Sequence, residues 1–194
     1  MSRPVSVAIT GGIGAGKSEA LAAFARHGAA TVSSDEIVHH LLRRPDVRDA
    51  VVARMGNGIV GDDGEIDRGA LATIVFNDRA ALAWLEELLH PLVAAEYLTW
   101  RDQLAALPRP PRVCVTEVPL LYESGGEARF DKVVVITAPA KLRRARSHVA
   151  ADDRERRLLP DREKVKRADY SFVNTGTLQE LDEFVASVVH DLTA

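Results

Sequence analysis

A chain of 194 residues, 46% hydrophobic and 27% charged, suits one globular domain with a sizeable core and room for a small inserted subdomain. Its net charge of −3 excludes a general attraction to nucleic acid or anionic membrane, and no apolar run approaches the roughly 18 residues that a membrane-spanning helix needs. The single cysteine, Cys114, excludes an internal disulfide; with N-terminal residues that lack the apolar centre of a signal peptide, it points to the cytoplasm.

The first predicted element is a buried strand, Val5 to Thr10, short and rich in β-branched residues. Gly11-Gly12-Ile13-Gly14-Ala15-Gly16-Lys17-Ser18 follows and fits G-x-x-x-x-G-K-[ST], the phosphate-binding loop between a strand and a helix. The residue types follow from the task. A phosphate chain must sit in a ring of backbone N–H donors, so large side chains are excluded and glycine supplies the turns. The helix that starts near Lys17 adds its positive dipole end. Lys17 is expected to reach the terminal phosphates and the Ser18 hydroxyl to ligate Mg²⁺, with Gly12 to Ser18 holding a nucleoside triphosphate.

Glu19 to Arg26 continues as a helix that Gly28 stops, and Ala29 to Val32 reads as a second strand. Asp35 lies just beyond it, where open parallel sheets bind ligands. From spacing alone Asp35 either caps a helix or takes a proton from an attacking hydroxyl, and His39 and His40 read as ordinary helix residues. Helical patterns then cover Asp46 to Met55, a stretch capped by Asp67, and a run from Asn77-Asp78. His90-Pro91 is expected to break that run, with Pro91 opening the next helix. No strand pattern interrupts residues 67 to 107, so a helical block inserted between core strands is expected to wall the phosphoryl acceptor.

Arg112 to Val118 predicts the third strand, with Cys114 a buried structural thiol. It ends in Glu117, either an exposed strand-end carboxylate or an acidic group near the metal. Asp131 to Thr137 is the fourth strand. Eleven Lys and Arg residues then lie between Lys141 and Arg167. Mixed signs make most of them a solvated face, and one or two arginines are expected to fold over the phosphates as a lid. Tyr170 to Val173 gives a fifth strand. Thr177 caps a last helix whose Leu178, Leu181, Phe184, Val185, Val188 and Leu192 form a stripe expected to pack in the core. Strands alternating with helices predict an α/β fold, a P-loop NTPase-like doubly wound parallel sheet of about five strands.

The chain also resembles the dephospho-CoA kinases, from the phosphate loop through Asp35-Glu36-Ile37-Val38-His39, Ile66-Asp67-Arg68-Gly69-Ala70-Leu71, His90-Pro91, Val118-Pro119-Leu120-Leu121-Tyr122-Glu123, Thr137-Ala138-Pro139, Ala168-Asp169-Tyr170 and Asn174-Thr175-Gly176. The resemblance implies ATP-dependent phosphorylation of the ribose 3′-hydroxyl of dephospho-CoA, with ATP held by Gly12 to Ser18 and with Mg²⁺. The charge balance adds the expectation of no nucleic-acid or membrane partner, and a monomer is expected with the oligomeric state left open. The resemblance further implies that Lys17 and Asp35 are catalytic, together with lid arginines Arg143 or Arg146 and Arg154. Thr10, His39, Arg68, His90, Pro119 and Leu120 would meet the acceptor, Asn174 would lie near the adenine, and Ser18 and Glu117 would hold the metal. The implied division is a core of residues 1–45, 108–140 and 168–194, an acceptor block at 46–107 and a lid at 141–167. Three features depart from the family pattern: Ser33-Ser34-Asp35 carries one carboxylate where two are frequent, the lid is short, and Leu158 replaces a frequent glutamine. The readings left beside this one are another P-loop small-molecule kinase, or a nucleotide-binding interaction module with little turnover.

Overall fold

The computed structural model describes residues 3–146 and 158–194. These divide into two compact units, one of residues 3–33, 101–146 and 158–194 and one of residues 34–100.

The first unit is built on a five-stranded, all-parallel sheet. Its strands are β1 (Val5–Thr10), β2 (Ala30–Ser33), β3 (Val113–Glu117), β4 (Lys132–Thr137) and β5 (Tyr170–Val173), in the order β2-β3-β1-β4-β5. Its helices are α1 (Lys17–Arg26), α6 (Ala140–Arg146), α7 (Asp161–Arg167) and α8 (Leu178–Thr193), with the last turn of α5 (Arg79–Ala105). The two-residue period of a strand explains why three strands read as unbroken apolar runs. Val7, Ile9, Val113, Val115, Val134 and Ile136 face one way and pack with Phe24 of α1 and Leu181, Val185 and Val188 of α8. Ala8, Val133 and Val135 face the other way, against Leu121 and Tyr122. Both faces are covered, so neither needs polar residues.

The ends of the helices follow the capping rules. Gly28, at φ 85°, occupies the left-handed position that ends α1. Thr177 and Glu180 form a reciprocal capping box at the start of α8. Leu178 is the exception to the expected stripe. It is 66% exposed, because it sits in the first turn of α8, ahead of the part that packs on the sheet.

The second unit holds α2 (Ser34–Leu41), α3 (Pro45–Met55), α4 (Arg68–Asn77) and most of α5. Its interior includes Ile37, Leu41, Val47, Val51, Ile59, Leu71, Val75, Leu85, Leu89 and Tyr97. Asp67 caps α4 by accepting from the N–H groups of Gly69 and Ala70. The expected break at His90-Pro91 is absent: α5 runs through Pro91. Proline there removes a single hydrogen bond of the helical ladder. Ala81, Leu85, Leu89 and Tyr97, at helical spacing, are buried along α5 on both sides of it, and this burial outweighs the local defect. No helix among the described residues is long and apolar enough to cross a membrane.

Candidate active site

The loop between β1 and α1 is the phosphate-loop motif of the first unit. Gly16 is the N-cap of α1 with φ 100°, a left-handed conformation that glycine adopts at little cost, and no side chain caps the helix. The N–H groups of the first turn stand at the positive end of the helix dipole, where anions bind. Ala15 donates its N–H to the carbonyl of Gly12 at 3.2 Å, which folds the loop, and Lys17 Nζ donates to that same carbonyl at 3.2 Å. The ammonium is thus laid back across the loop that it serves.

The sheet brings the other groups to the same edge. Ile9 is registered against Glu117, so the carboxylate that ends β3 stands beside the strand that feeds the loop. Glu117 is only 6% exposed, and Ser18 Oγ donates to its Oε2 at 3.5 Å. A hydroxyl and a buried carboxylate this close form a pair of hard oxygen donors, which fits Mg²⁺ rather than a softer metal. Thr10 Oγ1 donates to the carbonyl of Pro119 at 3.2 Å, and the Val118 N–H to the carbonyl of Ile9 at 2.9 Å. The start of the Pro119-to-Glu123 segment is thereby tied to the end of β1, and Leu120 lies within it.

Beyond β5, Asn174 is 6% exposed and donates from Nδ2 to the carbonyl of Ala15 at 2.9 Å, bracing the loop from the side. Arg146 donates to the backbone carbonyl of Asn174 at 3.4 Å. The guanidinium of Arg143 lies over Gly12, and its backbone carbonyl lies 2.6 Å from where a side-chain carbon on Gly14 would stand. Gly14, at φ 72° and facing backbone, is therefore required by close approach, whereas at Gly12 the neighbour is the movable end of a side chain. Of the three expected lid arginines, Arg143 and Arg146 are found against the loop and its brace, whereas Arg154 lies outside the described residues.

The expected solvated face of the basic segment is corrected at one position. Lys164 of α7 is wholly buried, with Nζ 2.9 Å from Glu123 Oε1, and the Leu159 N–H donates to the same oxygen at 2.7 Å. Arg167 stands 5.7 Å from the centre of the Tyr122 ring. Sequence reasoning missed this lysine because nothing distinguishes it from its charged neighbours.

The second unit has its own concavity. A cavity of about 180 Å³ is lined by His39, Leu42, Arg43, Asp63, Glu65, Ile66 and Arg68. Two expected acceptor residues, His39 and Arg68, meet there, while His90 is exposed on α5 and is not part of the lining. The neighbouring Arg68 charge, then burial, then Arg43 and His40, hold the His39 imidazole below its ordinary pKa, so it favours the neutral form. Asp35 stands in the first turn of α2, two residues beyond Ser33, which is registered against Glu117.

The sequence profile described as dephospho-CoA kinase matches residues 5–180. A dephospho-CoA kinase of Protochlamydia amoebophila is 37% identical, the match covering 96% of this chain and 95% of that protein. One from Aquifex aeolicus is 34% identical over 96% and 97%. Among solved structures, a Thermus thermophilus protein superposes with a TM-score of 0.78 at 32% identity, covering all of both chains. A shikimate kinase of Acinetobacter baumannii, 15% identical over 97% and 94% of the two chains, shares the fold at a TM-score of 0.56. The extent of the profile match and the identity over nearly the full length of these relatives agree: the chain belongs to the dephospho-CoA kinase family.

Proposed function

We infer that the chain transfers the γ-phosphoryl group of ATP to the ribose 3′-hydroxyl of dephospho-CoA, giving coenzyme A and ADP, the last step of coenzyme A synthesis. Family membership supports this reading, and the single structural observation that carries it is the uncapped α1 N-terminus behind a glycine loop crossed by Lys17.

The roles proceed from charge. The loop N–H groups from Gly12 to Ser18 hold the β- and γ-phosphates, and Lys17 neutralises them. Ser18 and Glu117 would hold Mg²⁺, which would supply positive charge to offset that of the phosphates. Asp35 accepts the proton of the 3′-hydroxyl; the freed oxygen attacks the γ-phosphorus as its bond to the β,γ-bridging oxygen breaks, and ADP leaves with that electron pair. Arg143 offsets charge on the transferring group, with Arg146 and Arg154 as the other lid arginines. Asn174 lies by the adenine. Thr10, His39, Arg68, His90, Pro119 and Leu120 hold the acceptor. Positioning and electrostatics carry most of such a reaction, so these groups are individually costly to lose.

ATP consumption by the purified protein with Mg²⁺, against dephospho-CoA, pantetheine, AMP, adenosine and gluconate, tests the reading. ADP and coenzyme A formed with dephospho-CoA alone is the expected result. Turnover with another acceptor overturns the acceptor assignment, and ATP binding without turnover favours a nucleotide-gated module. Asp35→Asn is expected to retain ATP binding and lose at least about a hundredfold in turnover. Unchanged turnover removes Asp35 from the mechanism.

A further inference from the structure

A phosphate-binding loop is ordinarily surrounded by cations, and Lys17, Arg143 and Arg146 fit that rule here. Asp161 does not. Its carboxylate Oδ1 lies 3.4 Å from the point where a side-chain carbon on Gly12 would stand, and the Arg143 guanidinium carbon lies 3.3 Å from the same point. An anion and a cation thus converge over the second residue of the loop. A bare glycine there is what leaves them room.

The placement is built rather than incidental to a loose chain end. Asp161 opens α7, and the segment is pinned on either side of it. Leu159 donates its N–H to Glu123 at 2.7 Å on one side, and the wholly buried Lys164 pairs with the same Glu123 oxygen at 2.9 Å on the other. Glu123 belongs to the segment whose Pro119 is tied to Thr10 at the end of β1. The turn that carries Asp161 is therefore fastened to the same framework as the loop.

We propose that Asp161 sets the affinity of the phosphate site: its carboxylate, beside Arg143 over Gly12, opposes the phosphate charge and keeps the loop from holding nucleotide too tightly. The proposal rests on reading this loop as the ATP site. A like charge within a few ångströms of a polyanion weakens its binding in proportion to the charge bound. An enzyme that must release ADP each cycle gains turnover from such a limit. A first-turn acid that merely favours the α7 dipole would change stability and leave nucleotide affinity alone.

The test is binding of Mg²⁺·ATP, Mg²⁺·ADP and adenosine to the full chain and to Asp161→Asn, with no acceptor present. The dissociation constant for ATP is expected to fall by about threefold to tenfold, that for ADP by less, and that for adenosine not at all. Asp161→Ser, with a smaller side chain, is expected to follow the same order, and a thermal melt of each variant confirms that it folds. An unchanged or raised constant for ATP overturns the proposal, as does an equal gain for adenosine. Failure of the functional reading is separately visible, since it would appear as absent turnover of dephospho-CoA by the unaltered chain.

Discussion

Asn174 shows how much a single amide decides in this fold. It is buried, its N–H donates to the carbonyl of Thr137 at 2.7 Å, and its side chain donates to the carbonyl of Ala15. One residue therefore links β4, β5 and the phosphate loop. Asn174→Leu keeps the branched heavy-atom shape but leaves a buried carbonyl without its donor, a loss of about 1–3 kcal/mol. The expected outcome is a lower melting temperature together with a raised KM for ATP. A variant that lost stability with KM unchanged would mean that the loop does not need this brace. Other residues were legible before any coordinates. The motif puts Lys17 and Ser18 at the end of the loop, and there Lys17 Nζ meets the Gly12 carbonyl and Ser18 Oγ meets Glu117. Asp161 and Lys164 were not, because a charged residue among eleven cations and several acids carries no sign of which way its side chain turns. Burial at Lys164 arises from Glu123, some forty positions earlier in the chain, and no local pattern reports it.

At the scale of elements, the strands were the most legible. β-branched runs bounded by glycine, proline or charge set all five to within about a residue or two, since a strand buried on both faces needs continuous apolar sequence. Helix ends were legible where a side chain does the capping, as at Asp67 and Thr177. Pro91 was misleading. The local rule that proline ends a helix is a statement about one hydrogen bond and one steric clash, and tertiary burial overrode both along α5. Pro91→Ala restores a donor at an exposed helical position and is expected to stabilise the chain by about 1–3 kcal/mol, seen as a higher denaturation midpoint. A destabilised variant would show that α5 needs the proline to bend, and that its path rather than its continuity is under constraint.

Over the whole molecule, acid sensitivity should come from the N-terminal edge of the sheet. Burial pushes Asp131 up, yet hydrogen bonds from Arg3, the Ser6 N–H and the Ser6 hydroxyl more than offset this and bring it down to about 2. A carboxyl held below its unfolded value stabilises the fold above that value, and the contribution disappears as pH falls toward the folded one. The window therefore runs from about 4 down to about 2. With its side chain one-third exposed, solvent screening reduces the contribution to about 1–2 kcal/mol. Unfolding midpoints measured across that range should converge for the unaltered chain and Asp131→Asn; parallel curves would place the acid response elsewhere. At the opposite extreme stands Cys114. It is 2% exposed in the middle of the sheet, and burial lifts its thiol to about 11. The reaction product carries a free thiol of its own. Mixed disulfides form through a thiolate that can be reached, and this chain presents none: its single thiol is protonated and walled in. The catalyst can thus release a thiol cofactor at high local concentration without being capped by it, even when part of that cofactor is oxidised.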